Sequence, residues 1–62
     1  MITIGDLVRY NGVPLIKQYK GMVIAFGTSQ QGAGFATILS FGDKGVTHNF
    51  LVKDLIKINN NT

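Results

Sequence analysis

The apolar run Met22-Val23-Ile24-Ala25-Phe26, bracketed by Gly21 and Gly27, constrains this chain more than any other stretch. A run this short is too brief for a helix worth burying and has the length of a strand. A strand that is apolar on both faces needs cover on both, from the rest of its own fold or from a partner. The remaining chain is therefore read as wrapping. With Val23 and Ala25 pointing inward, Met22, Ile24 and Phe26 share the outward face, and what covers that face decides what the chain does.

Cover has to come from little material. The chain has 62 residues, enough for one domain near the lower limit of independent folding. It has no cysteine, so neither a disulfide framework nor a thiolate zinc site can staple it. A compact core, oligomerisation or docking onto something larger must do that work. A hydrophobic content of 45% against 15% charged residues argues against disorder. No apolar segment approaches the roughly 20 residues of a membrane span. The first residues lack a basic region followed by an apolar core, so a secretory signal is not expected and cytoplasmic synthesis is.

Turn chemistry divides the chain into short strands. Met1 to Gly5 alternates, with Ile2 and Ile4 expected on one face. Leu7-Val8-Arg9-Tyr10 follows, with Val8 and Tyr10 on one side and Leu7 and Arg9 on the other. Asn11-Gly12 marks a turn. The segment from Val13 to Lys20 holds the only proline, Pro14, and reads as a packed loop folding Val13, Leu15, Ile16 and Tyr19 back over one end of the core. After the central strand, Thr28 to Gly34 is a polar, glycine-bearing surface loop.

Phe35 to Phe41 is a second long strand, rich in aromatic and β-branched residues. Two facings are open for it: Phe35, Thr37, Leu39 and Phe41 inward, or Ala36, Ile38 and Ser40 inward. The first carries more apolar bulk and is the expected one. Gly42-Asp43-Lys44-Gly45 is a tight hairpin connection. Val46 to Phe50 returns as a strand with Val46, His48 and Phe50 on one face. Leu51-Val52-Lys53-Asp54 suits a single 3₁₀ turn, and Leu55 to Ile58 a last short strand. The predicted domain is 1–58, with a polar tail over 59–62. The expected interior is Val8, Val23, Ala25, Leu39, Leu55 and Ile58.

This order of strands and connections resembles the SH3-like β-barrel. The carrying residues are Gly5-Asp6-Leu7-Val8, Lys20-Gly21-Met22-Val23, Phe41-Gly42-Asp43-Lys44-Gly45 and Asp54-Leu55-Ile56-Lys57-Ile58. Within that fold the chain is similar to KOW-type modules of ribosome- and transcription-associated proteins, and to the very small SH3-like proteins encoded by tailed bacteriophages. The resemblance implies an all-β, five-stranded SH3-like barrel with at most one 3₁₀ turn before the last strand. The phage group implies a virion or host protein as partner, and the KOW group implies RNA or DNA. Proline-rich ligands are not expected, because the chain has no tryptophan and its first loop carries Lys17 and Lys20 in place of acids.

The chemistry-bearing residues are few. One histidine and three aspartates make up the acid–base inventory, and Asp6, Asp43 and Asp54 each fall where a turn or connector uses Asp locally. No pair has metal-ligand spacing, and a lone His48 on a strand is more often structural than a general base. No enzyme, cofactor, metal or small-molecule substrate is expected. The glycine-bearing loop from 27 to 34 lacks the Lys-Ser/Thr pair and following helix of a phosphate loop.

Two binding surfaces remain. Protein contact or self-association would use Met22, Ile24 and Phe26 with Leu15 and Tyr19, as an apolar patch left bare. Nucleic acid would use the scattered cations Arg9, Lys17, Lys20, Lys44 and Lys53, with Tyr10, Tyr19 or Phe35 for stacking. The net charge of +3 makes the second a weak lever.

Overall fold

The structure, a computed structural model, describes residues 1–11 and 19–58. The expected Pro14 loop, with Leu15, Ile16 and Lys17, and the tail over 59–62 lie outside the described residues.

Five antiparallel strands form one sheet: β1 (Leu7–Tyr10), β2 (Lys20–Thr28), β3 (Gly34–Ser40), β4 (Thr47–Leu51) and β5 (Leu55–Lys57). Among the described residues a single 3₁₀ turn, Val52–Asp54, precedes β5. The all-β expectation and the placing of that turn hold. The strand order is β4-β3-β2-β1-β5, so β2 is central and β4 and β5 lie at the two ends. β1 pairs with the start of β2, Arg9 opposite Lys20 and Leu7 opposite Met22. β3 runs along the whole of β2, from Gly21 opposite Ser40 to Thr28 opposite Gly34.

The β2–β3 ladder slips once. Val23 stands opposite Ile38 and Ala25 opposite Thr37, leaving Ile24 as an extra residue on β2. A bulge of this kind reverses the facing of everything beyond it. The core accordingly contains Val8, Val23, Ala36, Ile38 and Leu55. Three expected core residues are corrected. Ala25 is exposed because the slip turns it outward, and Leu39 is half-buried on the outer side. Ile58, one residue past β5, is 41% exposed.

The expected facing of Phe35 to Phe41 is also overturned, since Ala36, Ile38 and Ser40 are the buried ones. Side-chain bulk misled here because the inner side is where backbones crowd. A Cβ on Gly21 would run into the Leu39 carbonyl and the Ile38 side chain, so nothing larger than glycine fits. Ser40, opposite Gly21, turns inward and its Oγ accepts the N–H groups of Gly42 and Asp43, each at 3.2 Å. That closes the β3–β4 turn.

The first residues form a turn, not an alternating strand. The Asp6 N–H donates to the Thr3 carbonyl at 3.1 Å. The Asp6 carboxylate accepts the Thr3 N–H at 2.8 Å and the Thr3 hydroxyl at 3.2 Å. Gly5 takes the left-handed conformation this turn needs, at φ +95°. Ile2 and Ile4 are thereby parted: Ile2 packs on the core and Ile4 is 64% exposed. Asp6 is buried, with Lys57 Nζ 3.5 Å from its carboxylate.

Candidate interaction surface

The register places three cross-strand rows on the outer side of β2, β3 and β4. They are Met22–Leu39–Thr47, Ala25–Thr37–Asn49 and Gly27–Phe35–Leu51. All nine residues are uncharged. Leu7, opposite Met22, lengthens the first row. In the second, the Thr37 hydroxyl donates to Asn49 Oδ1 at 2.7 Å, which ties these two polar side chains together across β3 and β4. In the third, the Phe35 ring lies over Gly27, occupying the space a Cβ there would need. Phe35, Thr37, Leu39 and Met22 are half-buried, and Leu51 and Ala25 are exposed. The result is a patch of three uncharged rows, bordered on the same side of the sheet by Lys20 and, opposite it, Arg9.

The sequence expectation put Met22, Ile24 and Phe26 on one face, and the bulge separates them. Met22 is on the outer side, opposite Leu39. Phe26 is on the core side, opposite Ala36, and remains 44% exposed. Ile24 is the extra residue, 39% exposed.

Tyr19 belongs elsewhere again. It sits in an aromatic corner on the core side of β4 with Tyr10, His48 and Phe50. Tyr10 and Phe50 have ring centroids 4.5 Å apart, and Tyr19 meets Phe50 edge-on at 4.8 Å. Such pairs add roughly 0.5–1.5 kcal/mol each beyond their burial. The Tyr19 hydroxyl lies 3.3 Å from the Ile38 carbonyl and 3.0 Å from His48 Nδ1. Burial raises the Tyr19 pKa above its ordinary value; a hydrogen bond with Ser40 opposes the rise and the Asp43 charge adds to it.

Of the cations, the fold brings two together. Arg9 and Lys20 are directly opposite on β1 and β2, and the Phe41 N–H donates to the Lys20 carbonyl at 3.1 Å, placing the 56%-exposed Phe41 beside them. Lys44 is in the β3–β4 turn, and Lys53 lies 3.5 Å from Asp54 in the 3₁₀ turn. Lys17 and Leu15 are outside the described residues. Among the described residues no three His, Cys, Asp or Glu side chains are grouped as a metal site. No helix among them is long and apolar enough to cross a membrane.

The sequence reading names Phe35 only for base stacking, and does not single out Leu39, Thr47, Asn49 or Leu51 as binding residues. The signal available was Thr47-His48-Asn49-Phe50-Leu51, a strand without a charge between the cationic turns at Lys44 and Lys53. No known family, curated protein or solved structure matches the chain.

Proposed function

We propose that this chain is a non-catalytic SH3-like interaction module that docks protein through the outer face of β2, β3 and β4. The observation that carries the reading is the set of three uncharged rows from Met22–Leu39–Thr47 to Gly27–Phe35–Leu51. An uncharged patch that carries Met22, Leu39, Phe35 and Leu51 on a chain with so small a core is a liability in water unless something covers it. Supporting the SH3-like assignment are the strand order and the single 3₁₀ turn before β5. The likeness to phage-encoded proteins supports a larger assembly, virion or host protein, as the setting, with the cytoplasm as the place of synthesis.

A photo-crosslinking amino acid placed at Thr37, in living cells that express the chain, tests this. Adducts from Thr37 that are missing when the group is placed at Gln30, in the β2–β3 loop, are the expected result. Equal or absent labelling from both positions overturns the reading.

One observation favours a second reading, nucleic-acid binding. Like charges directly opposite in a sheet are destabilising, yet Arg9 faces Lys20, with exposed Phe41 alongside. A cationic pair next to an exposed ring suits a phosphate backbone with a stacked base. Binding to single-stranded RNA or DNA that weakens steeply with salt, and is lost in Lys20→Glu, supports it. A flat salt dependence, or no binding at low salt, eliminates it.

A further inference from the structure

Backbone pairing on β4 points to a specific partner. The Ser40 N–H donates to the Val46 carbonyl at 2.9 Å. In an antiparallel ladder bonded and unbonded pairs alternate. Ile38–His48 and Ala36–Phe50 are therefore the bonded pairs, and the N–H and C=O groups of Thr47, Asn49 and Leu51 point away from β3. Among the described residues β4 is an end strand, with β3 as its sheet neighbour. Edge strands are normally protected by lysine, proline, a bulge or shortness. The other end strand, β5, has three residues and carries Lys57. β4 has five residues, no charge, no proline and no slip in its register.

We infer that β4 pairs antiparallel with β4 of a second copy of this chain, about a two-fold axis at Asn49. This rests on the interaction-module reading and adds a partner at the β4 edge, beside that face. The strand is complementary to itself in that register. Asn49 meets Asn49 of the second copy, and Thr47 meets Leu51 on either side, so every outward backbone group of the three residues finds a partner. The Asn49 side chain, held by Thr37, leaves the edge unobstructed. The two neutral outer faces become one continuous surface. Two copies of net charge +3 would approach along a strand that has no Lys, Arg, Asp or Glu of its own, where like-charge repulsion is least.

The chain's lack of cysteine makes a direct test available. In a bonded antiparallel pair the two Cα atoms at position 49 lie about 5.5 Å apart, within the disulfide range of roughly 4.4–6.8 Å. Purified Asn49→Cys should form a disulfide-linked dimer under mild oxidation at least tenfold faster than Ser29→Cys, a control in the β2–β3 loop. Wild-type protein should show an average mass that rises with concentration in sedimentation, and Asn49→Pro should lose that rise. Proline at 49 removes an N–H that points away from β3, together with the side chain that accepts the Thr37 hydroxyl; should it unfold the chain, Leu51→Lys on the same edge serves in its place. Equal oxidation rates, or a concentration-independent monomer, overturn the pairing. That result together with in-cell adducts from Thr37 to other proteins would refute the second copy and leave the interaction module standing. Absence of those adducts as well would refute both.

Discussion

Phe26 stands directly opposite Ala36, a residue with no exposed surface, and so belongs to the core side of the sheet. Four positions earlier, Met22 belongs to the outer side, although even spacing along an unbroken strand would keep the two together. The extra residue at Ile24 is the cause. It removes Phe26 from the outer face and brings Ala25 onto it, which completes the uncharged middle row with Thr37 and Asn49.

The facing of β3 has a direct energetic signature. Ile38 is fully buried and Leu39 is half-buried on the outer side. Ile38→Ala should cost about 3–4 kcal/mol, transfer and cavity together, and Leu39→Ala about 1 kcal/mol. Urea unfolding midpoints of the two variants check this, and the reverse order would mean that the strand is turned over.

Gly21 tests the close approach of β2 to β3. A methyl group there meets the Leu39 carbonyl and the Ile38 side chain, and backbone cannot step aside as a flexible side chain can. Gly21→Ala should destabilise by about 3 kcal/mol or more. At Gly27 the obstacle is the Phe35 ring, which can swing away, so Gly27→Ala should cost less. Thermal unfolding of the pair checks the difference.

How much of this could be read from the residues follows a physical line. Strand bounds came within a residue or two of those observed, because Gly, Asn and Asp turns mark them and alternation needs only neighbours. The 3₁₀ turn was legible for the same local reason. The bulge was not, since Val23-Ile24-Ala25 contains no glycine or proline to announce a slip. β3 faces the opposite way to the expectation because its inner residues Ala36 and Ser40 are small, and what makes them inner is the backbone of a strand distant in sequence. The outer face needed three strands in register, which no single segment displays. Tyr19 was expected at a binding surface, and its place among Tyr10, His48 and Phe50 likewise depends on pairing across the sheet.

Tyr19 also sets a pH dependence. Its folded pKa lies above the unfolded value of about 10, so the fold binds the phenol's proton more tightly than the unfolded chain does. The corresponding stability is fully present below pH 10 or so and is lost as pH rises through the folded value. Tyr19→Phe should cost about 1 kcal/mol at neutral pH, from the hydroxyl's contacts with Ile38 and His48. It should also lose less stability than wild type between neutral and strongly alkaline pH. Chemical denaturation of both proteins across that range checks the sign; a steeper alkaline loss in Tyr19→Phe would contradict it.

The free edge of β4 can be observed most directly through its own amides. Hydrogen exchange at Thr47, Asn49 and Leu51, followed by NMR in dilute and in millimolar solution, reports whether those N–H groups acquire partners as copies meet. Pairing through β4 predicts exchange at these three positions that slows with concentration while the amides of β1 and β2 keep their rates. Exchange at Thr47, Asn49 and Leu51 that stays equally fast at every concentration would contradict it.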